Sequence, residues 1–184
     1  MENRQLNLYN SEFSIKNKIL RVLWNSVYFL LFRPFPTPVF RTWRIFVLKC
    51  FGAQIHFSSH VYASVKIWAP WNLSIGEYSC LGPYVDCYNQ GKVYIGNHTI
   101  ISQKSNLCAS THDHKKKNFP LLLKPIKIQD RVWIASNAFI GPGVTIESNC
   151  VVAACAVVVG SVKAYTIVGG NPAKKIRNGD TEKD

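Results

Sequence analysis

Aliphatic residues recur at every sixth position along most of this chain, and that period limits the possible fold more than any other feature. In the C-terminal half they form one unbroken column: Ile128, Ile134, Ile140, Ile146, Val152 and Val158. A second column lies two residues before the first: Ile126, Val132, Ala138, Val144, Cys150 and Ala156. Because residues two apart on an extended segment point to the same side, both columns are predicted to face one interior.

The same period appears upstream in two further stretches. One column contains Ile55, Val61, Ile67 and Leu73, with the inward partners Phe57, Ala63, Ala69, Ile75 and Leu81. Another contains Ile95, Ile101 and Leu107, preceded by Val93, Thr99 and Ser105. A period of six fits neither the 3.6 of a helix nor a simple hairpin sheet. It fits short strands separated by tight corners and stacked as a solenoid, so we predict an all-β fold, a parallel β-helix, rather than short strands in a sandwich.

Two breaks in the period predict where loops leave the solenoid. Cys87 and Ile95 are eight residues apart, which predicts a small bulge near residues 88–92. Leu107 and Ile128 are 21 residues apart, so a longer projecting loop is predicted over about residues 112–124. Loops that project from a rigid scaffold are common places for functional sites.

The chain before the solenoid has a different pattern. Apolar residues follow helical spacing at Ile15, Ile19, Val22, Leu23 and Val27, and three prolines then end that pattern. We therefore predict a helical, basic and apolar segment over residues 1–52, the β-helix over 53–170, and a basic segment with a disordered tail over 171–184. The N-terminal segment either caps the open end of the solenoid or anchors the protein at a membrane interface, and the cap is favoured, with peripheral membrane contact in addition.

Composition narrows the partners and the compartment. With 22 Lys and Arg against 10 Asp and Glu, the formal net charge of +12 favours nucleic acid, an anionic membrane or a phosphate-rich small molecule. Nucleic acid is disfavoured, because no motif that reads RNA or DNA accompanies the charge. None of the six cysteines forms a Cys-x-x-Cys pair, and no secretory signal or membrane span is evident, so we expect a reducing, cytoplasmic location.

Several motifs resemble the bacterial hexapeptide-repeat acyltransferases, and within them the colanic acid biosynthesis acetyltransferases related to maltose and galactoside O-acetyltransferases. They are residues 67–73 (IWAPWNL), 85–89 (VDCYN), 111–114 (THDH), 124–126 (KPI), 132–134 (VWI) and 169–174 (GGNPAK). The resemblance implies a left-handed β-helix, a homotrimer with sites between subunits, acetyl-CoA as cosubstrate and a carbohydrate hydroxyl as acceptor.

The same resemblance assigns roles to individual residues. His112 corresponds to the general base, a role suited to histidine, whose ordinary pKa is near neutrality. Asp86 either orients that imidazole or binds the acceptor hydroxyl, and Tyr88 and His114 are predicted acceptor contacts. The predicted acetyl-CoA contacts line the pantetheine arm or meet the adenosine phosphates: Trp133, Ser136, Ala154, Lys174, Lys175 and Arg177. Relatives have Thr-Lys where this chain has Gly160-Ser161, which removes one expected contact with CoA.

Each assignment has a structural alternative, and the function has others as well. His112 and His114 could be exposed loop histidines beside the Lys115–Lys117 run, and the basic C-terminal residues could form a solvated tail. A zinc-dependent enzyme of this architecture is disfavoured, because the five histidines offer no evident triad, so we expect no metal. The remaining alternatives are an N-acetyltransferase of an amino-sugar nucleotide and a non-catalytic β-helix that serves as a binding module.

Overall fold

Short parallel strands stack into three flat faces of a β-solenoid of about six turns in the computed structural model, which describes residues 13–179. Face A contains, in stacking order, β1 (Gln54–Ile55), β4 (Leu73–Ile75), β7 (Val93–Ile95), β12 (Ile126–Ile128) and β15 (Thr145–Ile146). Face B contains β2 (His60–Val61), β5 (Cys80–Leu81), β8 (Ile100–Ile101), β13 (Trp133–Ile134), β16 (Val151–Val152) and β18 (Thr166–Gly169). Face C contains β3 (Lys66–Ile67), β6 (Asp86–Tyr88), β9 (Asn106–Cys108), β14 (Phe139–Ile140) and β17 (Val157–Val158). The predicted parallel β-helix is confirmed, and its left-handed winding is implied by the resemblance.

The interior of the solenoid is built from the predicted aliphatic column. Ile134 of β13 pairs with Ile101 of β8 on one side and Val152 of β16 on the other, and all three side chains are fully buried. Each coil therefore covers the apolar surface of its neighbours, which is why the chain needs several coils to form a stable core.

The upstream part of the pattern contained two errors. Phe57 was predicted to face inward but is exposed, whereas Ala63 and Ala69 are buried as predicted. Because a strand here has only two or three residues, the position two after the column lies on a corner, where a small side chain fits inside and a phenyl ring does not. Leu73 is buried, but it does not continue the column of Ile55, which passes through Ile75. Leu73 lies in the second column, two residues before Ile75, because the 3₁₀ turn Pro70–Asn72 inserts two residues before β4.

All three insertions leave the solenoid at one corner, between faces C and A. They are the turn Pro70–Asn72, the loop at residues 89–92 and the longest excursion, which follows β9. That excursion is an antiparallel hairpin of β10 (Ser110–His112) and β11 (Leu121–Leu123), with Ser110 opposite Leu123. The chain then re-enters the solenoid at β12.

The N-terminal segment covers the open end of the solenoid. Helix α1 (Ile15–Val27) begins at Ser14, whose hydroxyl accepts a hydrogen bond from the Asn17 amide at 3.2 Å, and continues into a π-helical turn, Tyr28–Phe32. After the 3₁₀ turn Pro38–Phe40, helix α2 (Arg41–Cys50) packs against the first coil. Among the described residues no helix has the length and apolar character needed to cross a membrane.

Side chains of this segment satisfy the edge carbonyls of the first coil. Lys49 Nζ donates to Ile55 O at 3.0 Å on face A, and Arg44 Nε donates to Val61 O at 2.8 Å on face B. Trp24 Nε1 donates to Ile67 O at 2.7 Å on face C. One donor therefore caps each of the three faces, and edge-to-edge pairing with another sheet is blocked there. The cap favoured from the sequence is what the structure contains.

At the other end of the chain, the segment predicted as basic forms a strand. Residues Lys174–Asn178 form β19, which pairs antiparallel with β18 and covers the last coil. Most of the predicted tail, residues 180–184, lies outside the described residues.

Candidate active site

His112 lies on the hairpin, and one of its ring nitrogens is already in a hydrogen bond. Nδ1 lies 2.7 Å from the carbonyl oxygen of Phe119, across the hairpin. A carbonyl oxygen can only accept, so Nδ1 carries the hydrogen and the lone pair of the neutral ring lies on Nε2. Fixing one tautomer in this way prepares the exposed imidazole to accept a proton at Nε2.

Beneath the base of the hairpin, amide side chains join the other two insertions to each other. The buried Asn89 accepts from the Ala69 amide at 3.0 Å and donates to the Ala69 carbonyl at 2.6 Å, while the half-buried Asn72 donates to Gln90 O at 2.7 Å. The next coil stacks directly on this layer, because a Cβ placed on Gly91 would meet Ala109 O at 2.6 Å. These two insertions therefore form a support for the hairpin.

Asp86 and Tyr88 line a cavity of about 340 Å³ between face C and α1, and His112 is not among the residues that line it. Arg21, Arg33 and Lys66 also line it. Arg21 stacks over the Trp68 ring at 4.2 Å and donates to the Trp68 carbonyl, and burial lowers its pKa. The cavity thus combines one carboxylate with several cations.

Tyr28 also faces this cavity, beneath α1. Burial raises the pKa of its phenol, an effect that Arg33 opposes and Asp86 reinforces. The hydroxyl is therefore kept protonated and able to donate. Carboxylate, hydroxyl and aromatic groups in one cavity are suited to a polar ligand with several hydroxyls.

Three predicted acetyl-CoA contacts come together in one groove. Trp133, Ser136 and Ala154 line an open groove of about 520 Å³ at the corner between faces B and C. The indole Nε1 donates to Ser102 Oγ at 3.1 Å, which fixes the half-exposed ring as one wall. Small residues, Ala135 and Ala153, complete the lining and leave room for an extended thin chain such as pantetheine.

The predicted phosphate-binding residues lie at the end of the solenoid, and His114 lies elsewhere. Lys174, Lys175 and Arg177 are exposed on β19, and Lys175 lines a further cavity of about 320 Å³ together with Ser161 and Lys163. Lys163 bonds Glu147 at 2.9 Å and lowers the pKa of that carboxyl. His114 is exposed at the tip of the hairpin.

The groove and the imidazole belong to different corners of the same subunit. The groove lies where face B turns into face C, whereas the hairpin leaves where face C turns into face A. Face C separates them. One subunit therefore does not assemble the predicted base and the predicted acetyl-CoA contacts into a single site.

Two buried polar atoms of the described region were missed from the sequence. Gln90 Oε1 and Asn106 Oδ1 are buried and have no hydrogen-bond partner within residues 13–179. Asn106 pairs in register with Asp86 on face C. The sequence offers no period or motif that marks them.

The described part of the chain contains no cluster of three or more His, Cys, Asp or Glu side chains able to hold a metal ion. The six cysteines are all free thiols, and burial raises the pKa of Cys87 far above that of an ordinary thiol.

Comparison with known proteins agrees with this architecture. The pattern of the bacterial transferase hexapeptide (six repeats) matches residues 125–160. The chain is 41% identical over 161 residues to the colanic acid biosynthesis acetyltransferase WcaF of Escherichia coli K12, a match that covers 88% of each protein. It is 31% identical over 130 residues to the galactoside O-acetyltransferase of the same organism, covering 69% of this chain and 55% of the other. The hexapeptide-repeat acetyltransferase VCA0836 of Vibrio cholerae, solved with acetyl-coenzyme A, superposes with a TM-score of 0.81 at 25% identity over 94% of each chain.

Proposed function

The chain belongs to the hexapeptide-repeat acetyltransferases, and we propose that it transfers the acetyl group of acetyl-CoA to a sugar hydroxyl with His112 as the general base. The observation that carries the proposal is the bond between His112 Nδ1 and the Phe119 carbonyl, which puts the basic lone pair on Nε2. Membership in an enzyme family argues against the alternative of a non-catalytic binding module.

The proposed proton path follows from that tautomer. Nε2 removes the proton from the acceptor hydroxyl as its oxygen attacks the thioester carbonyl carbon and forms the new C–O bond. The C–S bond then breaks, and the imidazolium returns its proton to the departing CoA thiolate. The Phe119 carbonyl stabilises the imidazolium while it exists, because the Nδ1 hydrogen remains bonded to it.

We assign the acetyl-CoA cosubstrate to the groove at the corner between faces B and C. Small residues at Ala135, Ala153 and Ala154 give an extended chain room along the solenoid, and Trp133 forms one side. Lys174, Lys175 and Arg177 extend from the last coil as cations for the adenosine phosphates. When bound, acetyl-CoA supplies the activated acyl group.

The separation of groove and hairpin supports a homotrimer. His112 of one subunit would act on the thioester in the groove of its neighbour, since the two lie at different corners of one prism. The outer side of face B favours such packing, because it carries a column of apolar residues at Ile100, Trp133, Val151 and Ile167. A closed ring with one repeated interface contains three such sites.

The cavity beneath α1 supports a carbohydrate acceptor. We propose that Asp86 accepts a hydrogen bond from an acceptor hydroxyl and that Tyr88 packs on the sugar ring. The hairpin of the neighbouring subunit would close this site with its His114 and bring its His112 to the hydroxyl. Arg33 and Lys66, which also line the cavity, suit an acceptor that bears a carboxylate or phosphate, as a surface-glycan or exopolysaccharide precursor does. We place the enzyme in the cytoplasm, in agreement with its free thiols.

The test is release of free CoA from acetyl-CoA with candidate sugar acceptors. His112→Ala is expected to lower kcat by about 10²–10⁴, the usual contribution of a general base. His98→Asn is the matched control, because His98 is another exposed histidine of the solenoid and should leave kcat unchanged. A loss below about tenfold would rule out the base assignment, and preferential acetylation of amino sugars at nitrogen would favour the N-acetyltransferase alternative.

A mixing experiment tests the shared site. Subunits carrying His112→Ala are refolded with subunits carrying Ala154→Arg, which blocks the groove. If each site takes its imidazole and its groove from two subunits, random mixing restores about a quarter of the sites. No recovery in trimers shown to be mixed would mean that each subunit works alone.

A further inference from the structure

Helix α1 has two apolar stripes, and only one of them is used by the fold. Trp24, Tyr28 and Phe32 are buried against the solenoid. The second stripe, at Ile15, Ile19, Val22 and Leu23, has the spacing of a single helix face and lies in solvent. Val22 is 67% exposed and Ile19 is 56% exposed, so this face is not part of the core.

The π-helical turn extends the exposed stripe. Its wide turn places Tyr28 and Phe32 inward and leaves Phe29, Leu30 and Leu31 outward, with Leu30 70% exposed. The apolar surface then continues onto α2. Trp43 Nε1 donates to Leu31 O at 2.7 Å.

Further aromatic rings extend this surface beyond Trp43. The Trp43 ring lies 5.9 Å from the Phe46 ring and 6.2 Å from the Phe35 ring, centroid to centroid. We call the whole surface the N-terminal apolar face: Ile15, Ile19, Val22, Leu23, Phe29, Leu30, Leu31, Phe40, Trp43 and Phe46. A continuous exposed surface of this kind marks an interaction site rather than scattered surface residues.

The charge around this face has a single sign. Residues 13–51 contain seven Lys and Arg and no Asp or Glu. At 100° per residue, Lys16 and Lys18 lie on opposite sides of the exposed stripe of α1. Cations on both borders of an apolar helix face are the arrangement of a helix that lies in a membrane interface, with its lysines reaching the lipid headgroups.

We propose that the N-terminal apolar face docks on the surface of an anionic membrane, with α1 lying parallel to it and the solenoid held on the aqueous side. The inference is independent of the proposed base and of the acceptor contacts Asp86, Tyr88 and His114, because it uses none of these residues. Docking would also place the cavity beneath α1 next to the membrane, since Phe29 of the docked face and the nearby Arg33 both line that cavity. An acceptor carried by a lipid would therefore arrive next to Asp86.

Charge favours a membrane over a second copy of the chain as the occupant. Two copies that met through this face would bring their cationic borders together with no acidic residue within residues 13–51 to neutralise them. Anionic lipids supply the missing charge. The fixed attachment of the inner stripe to the solenoid also keeps the outer stripe formed before binding, so docking requires no folding step.

The experiment is co-sedimentation of the full chain with vesicles of phosphatidylcholine, with and without phosphatidylglycerol. We expect binding to the anionic vesicles that weakens as salt is raised. The combined variant Ile19→Ser, Val22→Ser and Leu30→Ser should lose more than about tenfold in partition coefficient. The matched control replaces three equally exposed residues of the solenoid and its C-terminal strand: Tyr78→Ser (62%), Val159→Ser (64%) and Ile176→Ser (62%). It should bind as the parent does.

A second variant tests the charge without touching an apolar residue. Lys16→Gln with Lys18→Gln should weaken binding to anionic vesicles by about fivefold for each lysine and leave the fold unchanged.

Equal binding by parent and triple variant, or no binding by the parent, would overturn the proposal. Light scattering gives the remaining outcome: a triple variant that dissociates from the parental oligomer would assign the face to contacts between copies and would equally overturn it. CoA release with a water-soluble acceptor separates failure of docking from failure of the proposed function.

Discussion

The solenoid and the N-terminal segment are stabilised in different ways. Coils of the solenoid are joined by backbone hydrogen bonds, and their interiors repeat the same aliphatic contact, as at Ile101, Ile134 and Val152. The N-terminal segment has no repeat, and it is fastened to the first coil by the side chains of Trp24, Arg44 and Lys49. The stability of the solenoid is thus distributed over many equivalent contacts, whereas that of the cap depends on a few specific ones.

The strongest test of this comparison is Arg44→Met. Arg44 is fully buried, and its guanidinium donates to Val61 O at 2.8 Å, Phe35 O at 2.6 Å and Thr37 O at 3.0 Å. We expect a loss of about 4 kcal/mol of unfolding free energy, since one buried and two part-buried carbonyls lose a donor at about 1–3 kcal/mol each.

Limited proteolysis together with denaturant unfolding measures this effect. Cleavage should appear first within residues 13–51 while the solenoid remains folded. A single cooperative transition at lower denaturant, with no separate cleavage, would show that cap and solenoid unfold as one unit and would remove the distinction between them.

Ile134→Ala tests the solenoid, whose stability is distributed over many equivalent contacts. Removing this fully buried side chain should cost about 3 kcal/mol through lost burial and the cavity left behind. Hydrogen exchange should show the loss of protection mainly in the adjoining coils, at Ile101 and Val152, with the N-terminal segment little changed. Uniform loss of protection over the whole chain would contradict nearest-neighbour stabilisation.

Lys49→Met should have the smallest effect. Lys49 donates to Ile55 O at 3.0 Å, but its side chain is exposed, so water can replace it at that carbonyl. We expect a loss of about 0.5–1 kcal/mol of unfolding free energy, measured by the same denaturant titration. A loss as large as that of Arg44→Met would mean that all three caps contribute equally, regardless of burial.

The six-residue period was sufficient to predict most of the solenoid, because the burial of side chains repeats with the same period. From Ile128 onward, the predicted column matches the buried side chains residue by residue. Upstream the pattern failed at Phe57, since composition alone does not show whether a position two residues after the column lies in a strand or on a corner. The two residues inserted at Pro70–Asn72 were also hidden, because Leu73 is aliphatic and fits either column.

The site was less predictable than the fold. Trp133, Ser136 and Ala154 were assigned to one ligand and do line one groove. Asp86 was predicted either to orient the imidazole or to bind the acceptor hydroxyl, and it lines the cavity beneath α1 with Arg21 and Arg33. That position supports the second role, and both roles stay predictions.

The resemblance to a known family named the candidate base. The sequence by itself determined the solenoid, most of its interior column and the stretch of chain that forms the longest insertion. These three depend on spacing, and spacing along the chain is visible without coordinates. Only the tertiary structure decided that the Phe119 carbonyl selects the imidazole tautomer, that side-chain donors of the N-terminal segment cap each face of the first coil, and that groove and imidazole lie at different corners. Each of these depends on which atoms meet across distant parts of the chain, and hydrogen bonds form over distances too short for a sequence pattern to specify.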